Sequence, residues 1–120
     1  MKPKFTAGKN IAMKVPTHEF EKTVAFYRDI LGFEPVSSSS SDEVEPVTFK
    51  FGDKTLWIDC SPNISQAEIW LEINTTDIET ASAYLKQSGC IRRNEIEELP
   101  EDLSGFWISN PANIIHLITE

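Results

Sequence analysis

Asn10-Ile11-Ala12-Met13-Lys14-Val15 is a strand-like run, and the stretch from Phe20 to Leu31 follows it as an amphipathic helix. Glu68-Ile69-Trp70-Leu71-Glu72-Ile73 repeats the strand, and Ile78 to Gln87 repeats the helix. Both repeats fall 58 residues on, from Asn10 to Glu68 and from Phe20 to Ile78. A third pair, Thr55-Leu56-Trp57-Ile58 against Ile114-Ile115-His116-Leu117, keeps nearly that step, with 59 residues from Trp57 to His116. Self-similarity at a fixed step marks a chain built from two copies of one unit. A strand, a helix and three further strands, taken twice, fill the 120 residues.

Along the first copy, Ile11, Met13 and Val15 share one face of the strand, and Asn10, Ala12 and Lys14 share the other. Pro16 ends the strand because it has no N–H for a ladder, and Thr17 is positioned to cap the next helix. Phe20, Val24, Tyr27 and Leu31 form its apolar stripe, and Gly32 closes it. Phe33 to Val36, Val47 to Phe51 and Thr55 to Asp59 read as strands, with Ser37 to Ser41 and the acids after it as a flexible hairpin tip. In the second copy Thr76-Asp77-Ile78-Glu79 has capping-box spacing, and Gly89 ends the helix. Ile91 to Ile96, Gly105 to Ser109 and Asn113 to Thr119 are its remaining strands. The expected fold is α+β, two βαβββ modules (about 8–61 and 66–120 of a single domain over 1–120) with helices on one face of the sheets.

The bulk properties exclude several classes. The net charge of −8 disfavours nucleic acid, whose binding depends on Lys and Arg neutralising phosphates. No apolar run approaches the roughly 20 residues of a membrane helix, and Met1-Lys2-Pro3-Lys4-Phe5 lacks the apolar stretch of a signal peptide. The expectation is a cytoplasmic protein, with Cys60 and Cys90 free in a reducing compartment. The sequence contains no Gly-rich phosphate loop, nucleophile elbow or Cys–His signature.

The segment Asn10 to Pro16, followed by Glu19-Phe20-Glu21-Lys22-Thr23-Val24-Ala25-Phe26-Tyr27-Arg28-Asp29-Ile30-Leu31-Gly32-Phe33, resembles the opening of vicinal oxygen chelate proteins. That superfamily includes the glyoxalases, bleomycin-resistance proteins and extradiol dioxygenases. Asn110-Pro111-Ala112-Asn113-Ile114-Ile115-His116-Leu117 is similar to its closing DPxGNxxEL motif, with Asn for Asp and one residue fewer around the missing Gly. The resemblance implies that paired units curl into a cup, and that metal ligands come from the first and fourth strands of each unit. Those positions here are Asn10, Trp57, Glu68 and His116. Fe(II) commonly takes two His and a carboxylate, and catalytic zinc three protein ligands. Glu68 and His116 alone fall short of both.

Trp57, Trp70 and Trp107, with Asn10, Lys14, Glu68, Glu72 and His116, are therefore the candidate ligand-binding residues. An aromatic cup with a few carboxylates suits a flat or cationic small molecule. Lys14 is expected to pair with a cup carboxylate such as Glu72, and Glu68 with His116 could move a proton. His18 is expected at the surface. The favoured reading is a small-molecule binding protein without a complete metal site and with no cofactor. Its alternative is a lyase, isomerase or dioxygenase holding Fe, Mn, Ni, Co or Zn through Glu68 and His116. A third is an accessory module whose cup is filled by its own side chains. The resemblance also implies a homodimer with two equivalent clefts.

Overall fold

The computed structural model describes residues 2–36, 47–99 and 101–120. In chain order the elements are β1 (Phe5–Val15), α1 (Thr17–Ala25), β2 (Val47–Phe51), β3 (Lys54–Cys60), β4 (Glu68–Thr75), α2 (Ile78–Gln87), β5 (Ile91–Arg92), β6 (Gly105–Ser109) and β7 (Ile115–Thr119). The fold is α+β, as expected. It divides into a first unit, Lys9–Ile69, and a second, Trp70–Glu120 together with Met1–Gly8.

In the first unit β3 lies parallel to β1 and antiparallel to β2. Parallel strands need a crossover, and α1 supplies it. Val15, Leu56, Ile58 and Phe49 are buried with Phe20 and Val24 of α1, and Ile11 and Met13 pack against them. The expected stripe thus meets the expected strand face. The helix departs from expectation at both ends. Its N-cap is Pro16, with no side-chain cap, and Thr17 Oγ1 instead lies 3.5 Å from Cys60 Sγ, which donates to it. After Ala25 the turn widens into a π-helix over Phe26–Ile30. The expected strand from Phe33 to Val36 reduces to one bridge, Pro35 to Phe49, since Pro35 has no N–H to continue a ladder. The expected hairpin tip from Ser37 to Ser41, and the acids after it up to Glu45, lie outside the described residues.

In the second unit β7 runs parallel to β4 and antiparallel to β6, which pairs in turn with β5. Phe106, Ile108 and Ile118 form the core, and Phe5, Ile73, Ile78 and Leu85 pack against it. α2 spans the expected residues, but its N-cap is Asp77, one residue beyond the expected Thr76. The Asp77 carboxylate accepts from Thr80 N at 3.1 Å and from Thr80 Oγ1 at 2.8 Å. The expected strand from Ile91 to Ile96 is only two residues long. It stops because Ile96 N turns back to Arg93 O at 3.1 Å, and Asn94 Oδ1 takes the Trp107 backbone N–H at 2.9 Å. No helix among the described residues is long and apolar enough to cross a membrane.

The registers of the two units superpose. Met13 pairs with Ile58 in the first and Leu71 with His116 in the second, so both partners step by the same 58 residues. Lys14–Asp59 and Glu72–Leu117 keep that step too. His116 is therefore the counterpart of Ile58, and Trp57 corresponds to Ile115. The 59-residue step expected for this pair is one residue too long.

Candidate functional site

A one-residue step decides the face, because side chains alternate along a strand. β7 places His116 opposite Ile108 and Leu117 opposite Trp107. Ile108 and Ile118 pack with the α2 residues Ile78 and Leu85, so His116, two residues before Ile118, stands on the helix-bearing face. The expected cup face is the opposite one, that of Trp70, Glu72 and Leu117. The cause lies in the turn before β7. Asn110 Oδ1 accepts from Ala112 N and Ile114 N, both at 2.9 Å, and Asn113 adopts a φ of 65°. That left-handed conformation is the one a motif glycine supplies, and Asn tolerates it. Asn113 thus occupies the glycine position of DPxGNxxEL, and the motif glutamate falls on Leu117. His116 itself is half-buried, and its Nδ1 lies 3.0 Å from Ile114 O. A carbonyl only accepts, so Nδ1 carries the proton and Nε2 keeps the lone pair.

On the first unit's face away from α1 stand Asn10, Ala12 and Lys14 of β1 beside Thr55, Trp57 and Asp59 of β3. Trp57 Nε1 donates to Asn10 Oδ1 at 2.7 Å. Lys14 Nζ, only 7% exposed, lies 2.7 Å from Asp59 Oδ2. An ammonium so far out of water requires a carboxylate beside it. Asp59 is a partner that the sequence reading missed. The signal was available, because Asp59 shares the face of Trp57 by alternation.

On the second unit's corresponding face Trp70 and Trp107 meet edge to face, with centroids 5.3 Å apart and planes at 69°. Both are buried, and Trp107 Nε1 has no acceptor among the described residues. Glu72, half-buried, lies against Gly8, where a Cβ would overlap its carboxylate. Glu68 is exposed, as is His18. The structure thus brings together Asn10 with Trp57, and Trp70 with Trp107.

The expected metal positions do not fit a metal. Trp57 offers a proton rather than a lone pair, and it directs that proton at the Asn10 oxygen, the one donor atom that Asn10 could give. His116 stands on the helix-bearing face. Among the described residues no group of three or more His, Cys, Asp or Glu side chains is placed to hold an ion.

No protein-family model and no curated protein matches the sequence. Solved structures do match. The Mn(II)-bound glyoxalase from Novosphingobium aromaticivorans aligns at a TM-score of 0.70 and 17% identity, over 98% of this chain and 40% of that one. Homoprotocatechuate 2,3-dioxygenase from Arthrobacter globiformis aligns at 0.62 and 16%, over 98% of this chain and 36% of that one. Methylmalonyl-CoA epimerase from Mycobacterium tuberculosis aligns at 0.63 and 13%, over 96% and 87%. All three are vicinal oxygen chelate proteins. The chain has the vicinal oxygen chelate fold. It spans well under half the length of the glyoxalase and of the dioxygenase, so their fold is repeated here without their further parts. The resemblance seen in Asn10–Phe33 holds at the level of this fold.

Proposed function

We propose that this vicinal oxygen chelate fold serves as a metal-independent small-molecule binding protein, taking an aromatic or cationic compound on the faces that carry Asn10, Lys14 and Trp57 and, in the second unit, Trp70, Glu72 and Trp107. The observation that carries the reading is the 2.7 Å hydrogen bond from Trp57 Nε1 to Asn10 Oδ1. It commits two expected metal positions to each other and leaves a half-buried indole as a stacking surface. The net charge of −8 supports a cationic ligand through long-range attraction. Glu68, exposed at the start of β4, adds a carboxylate for such a ligand. The protein acts as a homodimer in the cytoplasm, where Cys60 and Cys90 stay reduced.

The test is a tryptophan-fluorescence titration with N-methylquinolinium, an aromatic cation, on parent and Trp57→Ala protein. A loss of affinity of tenfold or more in the variant is expected; unchanged affinity discards the reading. Metal is counted on the same preparations after exposure to Fe(II), Mn, Co, Ni and Zn. The match to a Mn(II)-bound glyoxalase supports a second reading, a divalent-metal lyase, isomerase or dioxygenase using Glu68 and His116. About one metal per chain, lost in both Glu68→Ala and His116→Ala, would replace the first reading with the second.

A further inference from the structure

The second unit contains a cavity of about 400 Å³, lined by Ser82, Leu85 and Lys86 of α2, Cys90 and Arg92 after it, and Phe106 and Ile108 of β6. Its volume lies within the roughly 300–1,000 Å³ of small-molecule sites. It opens on the helix-bearing face, because Phe106 and Ile108 are core residues beneath Leu85. It is thus separate from the faces proposed above and shares no residue with them.

The wall chemistry is the reverse of the chain's. The protein carries 19 acidic and 11 basic residues, yet the cavity is lined by two cations and no acid. Among the described residues neither cation is ion-paired with a carboxylate. The Arg92 guanidinium lies 4.2 Å from the centroid of the Phe106 ring and donates through Nη2 to Ser82 Oγ. The stack fixes its plane and the hydroxyl fixes its rotation. A guanidinium has five N–H donors, so one bond to a serine leaves most of the fork available. A planar fork held before the ligand arrives suits a carboxylate, which it can meet with two parallel bonds. Lys86 lies four residues after Ser82 on the same helix face and adds a second positive charge. Leu85, Phe106 and Ile108 give an apolar wall for the rest of the molecule.

We propose that this cavity is a binding site for a small monocarboxylate with an apolar body, its carboxylate on Arg92 and Lys86 and its hydrocarbon part against Leu85, Phe106 and Ile108. Cys90 in the wall provides a reporter of occupancy.

The test uses calorimetric titration of the full chain with acetate, phenylacetate, 3-phenylpropanoate and 4-phenylbutyrate, and with 3-phenylpropanamide as the uncharged match. Iodoacetamide labelling of Cys90 is followed in parallel by peptide mass spectrometry, which separates it from Cys60. The expected result is saturable binding of at least one aryl acid, tighter than acetate, with the amide at least tenfold weaker. Arg92→Gln is expected to weaken binding tenfold or more. Lys86→Gln changes an exposed side chain that the fold does not need, and is expected to weaken it severalfold. Bound acid should slow Cys90 labelling, and Trp57→Ala should leave all of this unchanged. Absence of binding by every acid, equal binding of acid and amide, unchanged affinity in both variants, or unprotected Cys90 would each overturn the proposal. A failure of the N-methylquinolinium titration leaves these outcomes untouched.

Discussion

The two units use the same strand register and place different chemistry on it. In the first, the face away from the helix holds polar pairs, Trp57 with Asn10 and Lys14 with Asp59. At the matched positions the second unit has Ile115 for Trp57, Glu68 for Asn10, Glu72 for Lys14 and Leu117 for Asp59. The helix-bearing faces differ in the other direction. The first unit has Ile58, fully buried, where the second has the half-buried imidazole of His116. A repeated backbone pattern therefore fixes where side chains point, and each copy is free to assign polarity to the directions it has. Comparing copies is informative only when the register, rather than sequence similarity alone, sets which residues are matched.

The largest expected effect breaks the match between Ile58 and His116. Ile58→Ala removes a fully buried side chain from the first core and is expected to cost about 2–5 kcal/mol. His116→Ala, at the matched position, leaves a half-buried site that water can reach, and is expected to cost less than about 1 kcal/mol. Urea unfolding of both variants measures the difference; similar costs would mean that His116 supports its core as Ile58 does. A smaller effect follows from giving the first unit the second unit's residue. Asp59→Leu takes away the carboxylate 2.7 Å from a nearly buried Lys14, and the expected loss is about 1–3 kcal/mol by the same measurement. A loss within error would show that the other contacts of Lys14 suffice.

The smallest effect concerns the helix starts. The Thr80 backbone N–H, then the Thr80 hydroxyl, hold the Asp77 carboxyl below its ordinary value of 3.8. A carboxyl with a lowered folded-state pKa stabilises the fold above its unfolded value, and that contribution fades as pH falls through the folded one. Asp77→Ala should thus lower Tm by a few degrees at pH 7. The gap between variant and parent should close only as the pH drops below 3.8. Thr17→Ala in α1, which has no side-chain cap, should leave Tm nearly unchanged at either pH. A drop for Thr17→Ala matching that for Asp77→Ala would erase the contrast.

The repeat, both helices and the alternation of β1 and β3 were legible because each rests on local periodicity. Ile11, Met13 and Val15 face their helix as the pattern requires. The position of His116 was not legible, because it depends on how one turn is closed. Asn113 reads as an ordinary polar residue until its left-handed backbone is seen to stand in for a glycine, and a single residue of offset moves the imidazole through the sheet. Asp77 rather than Thr76 as the cap is a similar case, since adjacent residues of equal capping ability differ only in where the backbone leaves the helix. The Arg92 cavity had no sequence signal. Ser82, Lys86, Arg92 and Phe106 share no motif, and only the strand pairing of β5 with β6 gathers them.

The indoles of Trp57 and Trp107 give the molecule two internal markers in proton magnetic resonance. One N–H lies in a short bond to an amide oxygen, and the other is buried without an acceptor. Hydrogen bonding draws electron density from a proton, so the Trp57 signal should lie downfield of the Trp107 signal. The Trp107 proton should also exchange slowly with deuterated solvent, since it is shielded from water rather than held by a bond. Each resonance reports on a different unit, so one spectrum can show which half of the chain a bound molecule or a substitution has disturbed.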